Sequence, residues 1–456
     1  MSSVSGRAAL AAAFLSAPLL ACGDGAGPPR PAQVRVTDGD HQVAPVNTLL
    51  PAPIVVTVLD ASGQPMPGVP IAWHSPGADR LTPIDPTTDA SGRARARWLL
   101  SQDEGERLGQ AELSGVEPAV FTAVGESQQW MPFDQLTPLD IATYDGSGQV
   151  VHPDYAATPA GSFGRPFHLA LTPYPYGNPS FENPSFFDGN RRDRWTVGDG
   201  VTNPIVRADA GYLSDPDLVS VPELGELRLY YRQVTTENSV LLSRSSDGSH
   251  WSPAVEVARA PNHEIVSPSV VRRAADDWWM FAVNSGPAGC TAAGTTVEAR
   301  RSADGVRWGP PTPVVLEQPE LWPWHIDVQW IPGRRVFWAV YNAKTATACT
   351  TPAVYLAEST DGLTWAPVPR PVLVKGAIPA FEDVVYRTTF EYEPLSDAMT
   401  FWFSGARFDG ARFIWSAAVE RRHRADVFAP GPASARSAAL EAAMMAPAPA
   451  PLVDWP

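Results

Sequence analysis

Three aspartates stand at matching places in a motif that recurs along this 456-residue chain: His152-Pro-Asp154-Tyr, Ser214-Asp-Pro-Asp217-Leu-Val and Trp324-His-Ile-Asp327-Val-Gln. Two more copies, Val266-Ser-Pro-Ser269-Val-Val and Tyr386-Arg-Thr-Thr389-Phe, carry hydroxyl residues at that place. Carboxylates that converge on one concave site can work as a pair, one protonated acid and one ionised base, as hydrolysis of a glycosidic bond requires. Such carboxylates repel, so at least one of them is expected to titrate well above the usual value of about 3.9. Glu182 and Glu264 lie near the same segments and are further candidates for the acid. Tyr174, Tyr176, Trp322 and Trp324 offer ring faces for sugars, and Arg232, His325, Arg387 and Arg407 offer hydrogen-bond donors for hydroxyl groups. Two other readings stay open. The aspartates can tie down neighbouring backbone amides, or the channel can hold a structural Ca²⁺, with His325 beside Asp327 as a ligand.

The elements that position these residues follow from a second repeat. Ser-x-Asp-Gly-x-x-Trp occurs at Ser245–Trp251, Ser302–Trp308 and Ser359–Trp365, each 57 residues after the last. Each copy follows an apolar strand, and the period suits four short strands and their turns, one propeller blade. The box is a folding device: Asp-Gly makes the hairpin between the third and fourth strands, and Trp packs between blades. The five aspartate or hydroxyl motifs mark five innermost strands and therefore five blades. The first blade keeps only a degenerate box at Asp193–Trp195.

Residues 33 to 125 read as a separate unit of short alternating strands. Ala94, Ala96 and Trp98 alternate with Arg93, Arg95 and Arg97, and Ile54, Val56 and Val58 alternate with Val55 and Thr57, as in half-buried sheets. Two Asp-Ala-Ser-Gly turns, Asp60–Gly63 and Asp89–Gly92, close hairpins. The fold class is therefore all-β, an Ig-like β-sandwich followed by a five-bladed β-propeller. The division expected is 1–22 signal, 23–32 tether, 33–125 sandwich, 126–143 linker, 144–428 propeller and 429–456 an Ala/Pro-rich tail without structure.

Composition agrees. Pro (48), Gly (35) and Trp (16) are abundant and only 18% of residues are charged, as in a turn-rich, helix-poor chain. A net charge of −15 with no basic cluster argues against nucleic acid and for a neutral oligo- or polysaccharide partner. Arg7 followed by the apolar run Ala8–Leu20 reads as an export signal, too short to span a bilayer. In an exported chain the two cysteines beyond Cys22, Cys290 and Cys349, are expected to pair. They precede Asp304 and Asp361 of their boxes by 14 and 12 residues, in equivalent loops of adjacent blades.

Three resemblances extend this reading. Leu19-Leu20-Ala21-Cys22 resembles the lipobox of bacterial lipoproteins, which implies lipidation of Cys22 and attachment to a membrane, with Gly23 pointing to the outer one, on its periplasmic or cell-surface side. Val58–Trp73 with Thr88–Ala94 resembles bacterial Ig-like domains of the invasin type, which implies a spacer or adhesive module. Tyr144–Asp154, Thr172–Ser185, Asn203-Pro and Ser214–Leu218 resemble the arabinosidase/levansucrase/invertase propeller superfamily. That likeness implies a sugar-binding funnel with a first-blade Asp, here Asp154, as general base and a Glu from a later blade as acid. No later inner strand carries the Glu pattern of that superfamily, so two functions are expected: a membrane-anchored glycosidase-like protein acting on neutral glycans, or a non-catalytic carbohydrate-binding or adhesion lipoprotein.

Overall fold

A computed structural model describes residues 29–428 apart from 47, 76, 102, 104, 127–132, 159–162, 164, 317, 319–320, 345–348 and 369. The expected signal, Cys22, most of the tether and the tail 429–456 lie outside the described residues. Among the described residues, no helix is long and apolar enough to cross a membrane.

The protein is all-β. Its first part is a sandwich of two four-stranded sheets, one of Pro31–Asp38, Ile54–Asp60, Arg93–Leu99 and Arg80–Pro83 and one of Gln42–Pro45, Val116–Glu126, Gly105–Leu113 and Ala72–His74. Ile54, Val56, Val58, Trp98 and Phe121 meet between the sheets. Arg93–Leu99 alternates exposed and buried as its sequence predicts. Ile54–Asp60 does not, since Val55 and Thr57 are buried as well. Their cross-strand neighbours are Arg35, Arg93 and Arg95, long aliphatic stems of the kind that cover an apolar surface. In the turns, Asp60 Oδ1 accepts from the Ser62 and Gln64 amides and Asp89 Oδ1 from those of Ser91 and Arg93.

Five further sheets form the propeller, each a meander whose first strand is innermost. The inner strands are Val150–Ala157, Tyr212–Val221, Val266–Ala274, Trp322–Ile331 and Val384–Glu393, hereafter those of blades 1 to 5. Each touches the next, and the fifth touches the first, so the ring is closed. The outermost strand of blade 5 is Thr137–Pro138, from the stretch that the sequence reads as linker; it pairs with Phe413–His423.

The repeated boxes form the seams between blades. In each, the Ser hydroxyl accepts from the Gly amide and the Asp carboxylate accepts from the next two amides, as for Ser302, Asp304, Gly305, Val306 and Arg307. The turn then docks on the blade before it: Tyr230 Oη and Arg228 Nη1 donate to the Gly305 and Asp304 carbonyls, and Trp365 meets Phe281 edge-on at 5.7 Å. Cys290 and Cys349 form a disulfide with Cα atoms 4.8 Å apart, joining the strand-two to strand-three loops of blades 3 and 4. These loops stand at the end of the ring where the inner strands begin, here called its mouth.

Candidate functional site

Every inner strand is interrupted near its start by a shift of register, between Val151 and Asp154, Ser214 and Asp217, Val266 and Ser269, Pro323 and His325, and Val385 and Thr388. In blades 1 to 3 the bulged residue precedes Pro and has positive φ: His152 (57°), Asp215 (50°) and Ser267 (49°). Left-handed backbone is costly for residues with a Cβ, and a bulge re-aims its side chain. The result is two stacked layers of side chains in the channel. The lower holds Asp154, Asp217, Ser269, Asp327 and Thr389, and the upper His152, Asp215, Ser267 and His325.

The three predicted aspartates do converge, with ligand-type oxygens within 4.8 Å of one another, all buried. Each is also tied to the neighbouring inner strand. The Leu218 amide donates to Asp154 Oδ2 (2.6 Å), and the Val270 amide to Asp217 Oδ2 (3.0 Å). Asp327 accepts from the Ser269 and Thr389 hydroxyls (3.3 and 3.1 Å) and is supported by the Phe390 amide. Ser269 continues the pattern by accepting from the Val328 amide at 2.9 Å. Arg387, fully buried, places Nη2 3.5 Å from Asp154 and 3.9 Å from Asp217 and donates through Nη1 to the Pro216 carbonyl. Burial, then the neighbouring carboxylates, hold Asp154 well above the usual range and push Asp217 up to about 8; burial also raises Asp327. The lower layer is thus a girdle between blades, with Arg387 already standing where a cation would be drawn.

The upper layer is arranged differently. His152 Nε2 lies 3.5 Å from Asp215 Oδ1, and His325 Nδ1 lies 3.3 Å from the same oxygen. The Ser267 hydroxyl donates to Asp215 Oδ1 (2.9 Å) and also meets His325 Nδ1. Arg232 Nη1 stands 3.4 Å from Asp215 Oδ2. On the other side of His152, Nδ1 faces Thr172 Oγ1 and Glu182 Oε2, each at 3.3 Å. Oxygens around Nδ1 hold the proton there and leave Nε2 a free lone pair. Both Nε2 atoms, of His152 and of His325, are buried without a hydrogen-bond partner.

The protonation states suit metal ligation. Burial lowers both imidazoles, which favours their neutral form, against the pull of Asp215. Burial would raise Asp215, but His152, Arg232 and His325 outweigh it and hold the carboxyl well below the usual range. Two neutral imidazoles and one ionised carboxylate are what a divalent transition metal takes, and ligand atoms about 2.1 Å from a tetrahedral ion stand roughly 3.4 Å apart. The 3.5 Å between His152 Nε2 and Asp215 Oδ1 fits that spacing, and the group His152, Asp215 and His325 lies within 4.8 Å.

Other predicted residues take varied places. Glu182 and Arg232 join the upper layer, and Arg387 the lower one. Trp324 is buried and donates through Nε1 to Tyr386 Oη (3.1 Å), whose ring lies 4.3 Å from that of His325. Tyr174 is buried, edge-on to Trp415. Trp322 opens the fourth inner strand, partly buried, and Tyr176 lies exposed on the mouth. Glu264, in the loop before the third inner strand, faces Arg300, and Arg407 is exposed on the second strand of blade 5; neither joins the two layers. Sequence reasoning passed over His152 and Asp215. Both stand two residues before a predicted aspartate, as His325 does, so comparing the motif copies two columns further back reveals them.

No family model matches the chain. A curated relative, A type blood N-acetyl-alpha-D-galactosamine deacetylase of Flavonifractor plautii, is 26% identical over 320 residues, 60% of this chain. The chain spans 40% of that relative's length. Among solved structures, an N-acetylgalactosamine deacetylase from F. plautii in complex with blood group B trisaccharide superimposes with a TM-score of 0.60 at 23% identity, over 64% of this chain and 96% of that one. A GH43_1 enzyme from Xanthomonas citri complexed with xylose gives 0.45 at 12% identity, over 64% and 91%. The GH62 α-L-arabinofuranosidase catalytic domain of Coprinopsis cinerea gives 0.46 at 11%, over 62% and 94%. The chain is thus similar in fold to that F. plautii deacetylase structure.

Proposed function

We propose that the protein is a metal-dependent hydrolase that removes the acetyl group from an N-acetylated amino sugar at a glycan end. The observation that carries this reading is the buried, unpartnered Nε2 of His152, 3.5 Å from ionised Asp215, in one buried group with His325. The acetamide as substrate is suggested by the activity of the F. plautii relative. A bound divalent ion would supply a Lewis acid for the amide carbonyl and an activated water. His152, Asp215 and His325 would hold it. Glu182 orients His152 from behind, its carboxyl facing Nδ1, and burial raises that carboxyl above its usual range. Ser267 and Arg232 fix Asp215.

Glycoside hydrolysis by the lower carboxylates is the second reading, favoured by the raised pKa of Asp154 and Asp217, which suits a general acid. Their bonds to the amides of the adjoining strands weigh against it, because oxygens so engaged are not free to meet a sugar. Acetate and reducing ends should be measured together, on N-acetylgalactosamine-terminated oligosaccharides, with and without a chelator. Acetate release that stops with chelator and returns with added metal supports deacetylation; new reducing ends, indifferent to chelator, would replace it with glycosidase action. No response to any glycan would favour a non-catalytic adhesion protein. Export and attachment through Cys22 are proposed from the sequence, and retention of Cys22→Ala in the membrane fraction would exclude attachment through a lipid on Cys22.

A further inference from the structure

Tyr176 is strained and exposed at once. It has φ 58° and ψ 25°, a left-handed conformation that is unusual for a bulky aromatic residue, and 44% of its surface is open. The strain is held in place from several sides. Pro175 precedes it and Gly177 follows with φ 79°, while its amide donates to Gln149 Oε1 (3.1 Å), which also accepts from the Trp415 amide. The short 3-10 turn Pro175–Gly177 packs on the strand Phe413–His423. The Arg412 guanidinium carbon stands 3.3 Å from the ring centroid, and Arg412 is itself fixed by the Asp409 turn, whose carboxylate accepts from its amide (2.9 Å). One face of the ring is thus backed by a cation.

This ring belongs to the mouth. Gln149 leads into the first inner strand three residues before His152, and Trp415 continues through Tyr386 (5.2 Å) to His325 (4.3 Å). With 44% of its surface open and one face backed by Arg412, the ring is preorganised, and such a ring loses little entropy when a sugar stacks on it. We propose that Tyr176, backed by Arg412, is a stacking platform at the seam of blades 1 and 5 for a neutral pyranose ring of an oligosaccharide, one or more residues away from the sugar that enters the channel. This inference rests on the glycan reading above.

The test compares the metal-loaded full chain on N-acetylgalactosamine and on a trisaccharide ending in it. Tyr176→Ala should lower kcat/KM for the trisaccharide about tenfold relative to the monosaccharide, through KM. Tyr176→Phe should restore the ratio, because the ring face is what binds. Tyr176→Gly, which relieves the backbone, should melt no lower than the wild type and show the same loss as Ala. An unchanged ratio in Ala and Gly variants of an active protein would overturn the platform alone. A wild type that neither binds nor turns over either sugar would overturn the glycan reading and the platform with it.

Discussion

Glu182 Oε2 stands 3.3 Å from Nδ1 of His152, on the side of the ring away from Asp215. A carboxylate behind a ligating imidazole sets its tautomer and raises its basicity, and loss of such a partner typically weakens metal binding by about 10- to 100-fold. Glu182→Gln should therefore fold normally and bind Zn²⁺ or Mn²⁺ that much more weakly by calorimetric titration, with activity recovered at high metal concentration. Undiminished affinity would separate Glu182 from the metal site.

The 2.6 Å bond from the Leu218 amide to Asp154 predicts a stability role for the lower layer. Asp154→Ala leaves a buried amide unpaired and should cost about 1–3 kcal/mol in denaturant unfolding, whereas Asp154→Asn keeps an acceptor and should cost less. Equal stability of both variants and the wild type would show that the girdle does not join the blades.

His168 predicts the response to acid. It lies buried on the second strand of blade 1, sharing a hydrogen bond with Thr158 Oγ1 (2.9 Å) and stacked on Phe186, and burial lowers its pKa to about 4. The unfolded chain, with His near 6.5, binds the proton more readily, so this contribution is complete above that value and is lost as pH falls toward about 4. Between pH 7 and 4.5 the wild type should lose on the order of 2 kcal/mol more than His168→Gln. Parallel losses would remove His168 as the cause.

The Cys290–Cys349 disulfide closes a separation of 59 residues. Chain-entropy arguments give about 4 kcal/mol for such a loop, and because the ring already holds blades 3 and 4 together, a loss of about 2–4 kcal/mol is expected for the double Ser variant. Its denaturation midpoint should match that of the reduced wild type; a midpoint equal to that of the oxidised protein would make the bond dispensable.

Much of this was legible in the chain. The Ser-x-Asp-Gly-x-x-Trp boxes and the five inner motifs follow from local turn chemistry and strand period, and the convergence of Asp154, Asp217 and Asp327 follows from ring symmetry. What escaped was the upper layer. His152 and Asp215 face the channel because each sits in a left-handed bulge before Pro, and simple strand alternation has no place for a bulge. The pairing of Thr137–Pro138 with the last blade was equally hidden, since a two-residue outer strand has no period of its own.

That pairing joins the first propeller segment to the last, across a long sequence separation. Contacts so distant form late, and topologies rich in them fold slowly. As the chain is synthesised from its N-terminus, Thr137 and Pro138 must wait for Val419 and Ala418 before the circle can shut. Until then the growing protein carries an open sheet edge, a template for aggregation. A truncated gene starting after Pro138 would leave that edge bare permanently, even with every inner strand intact.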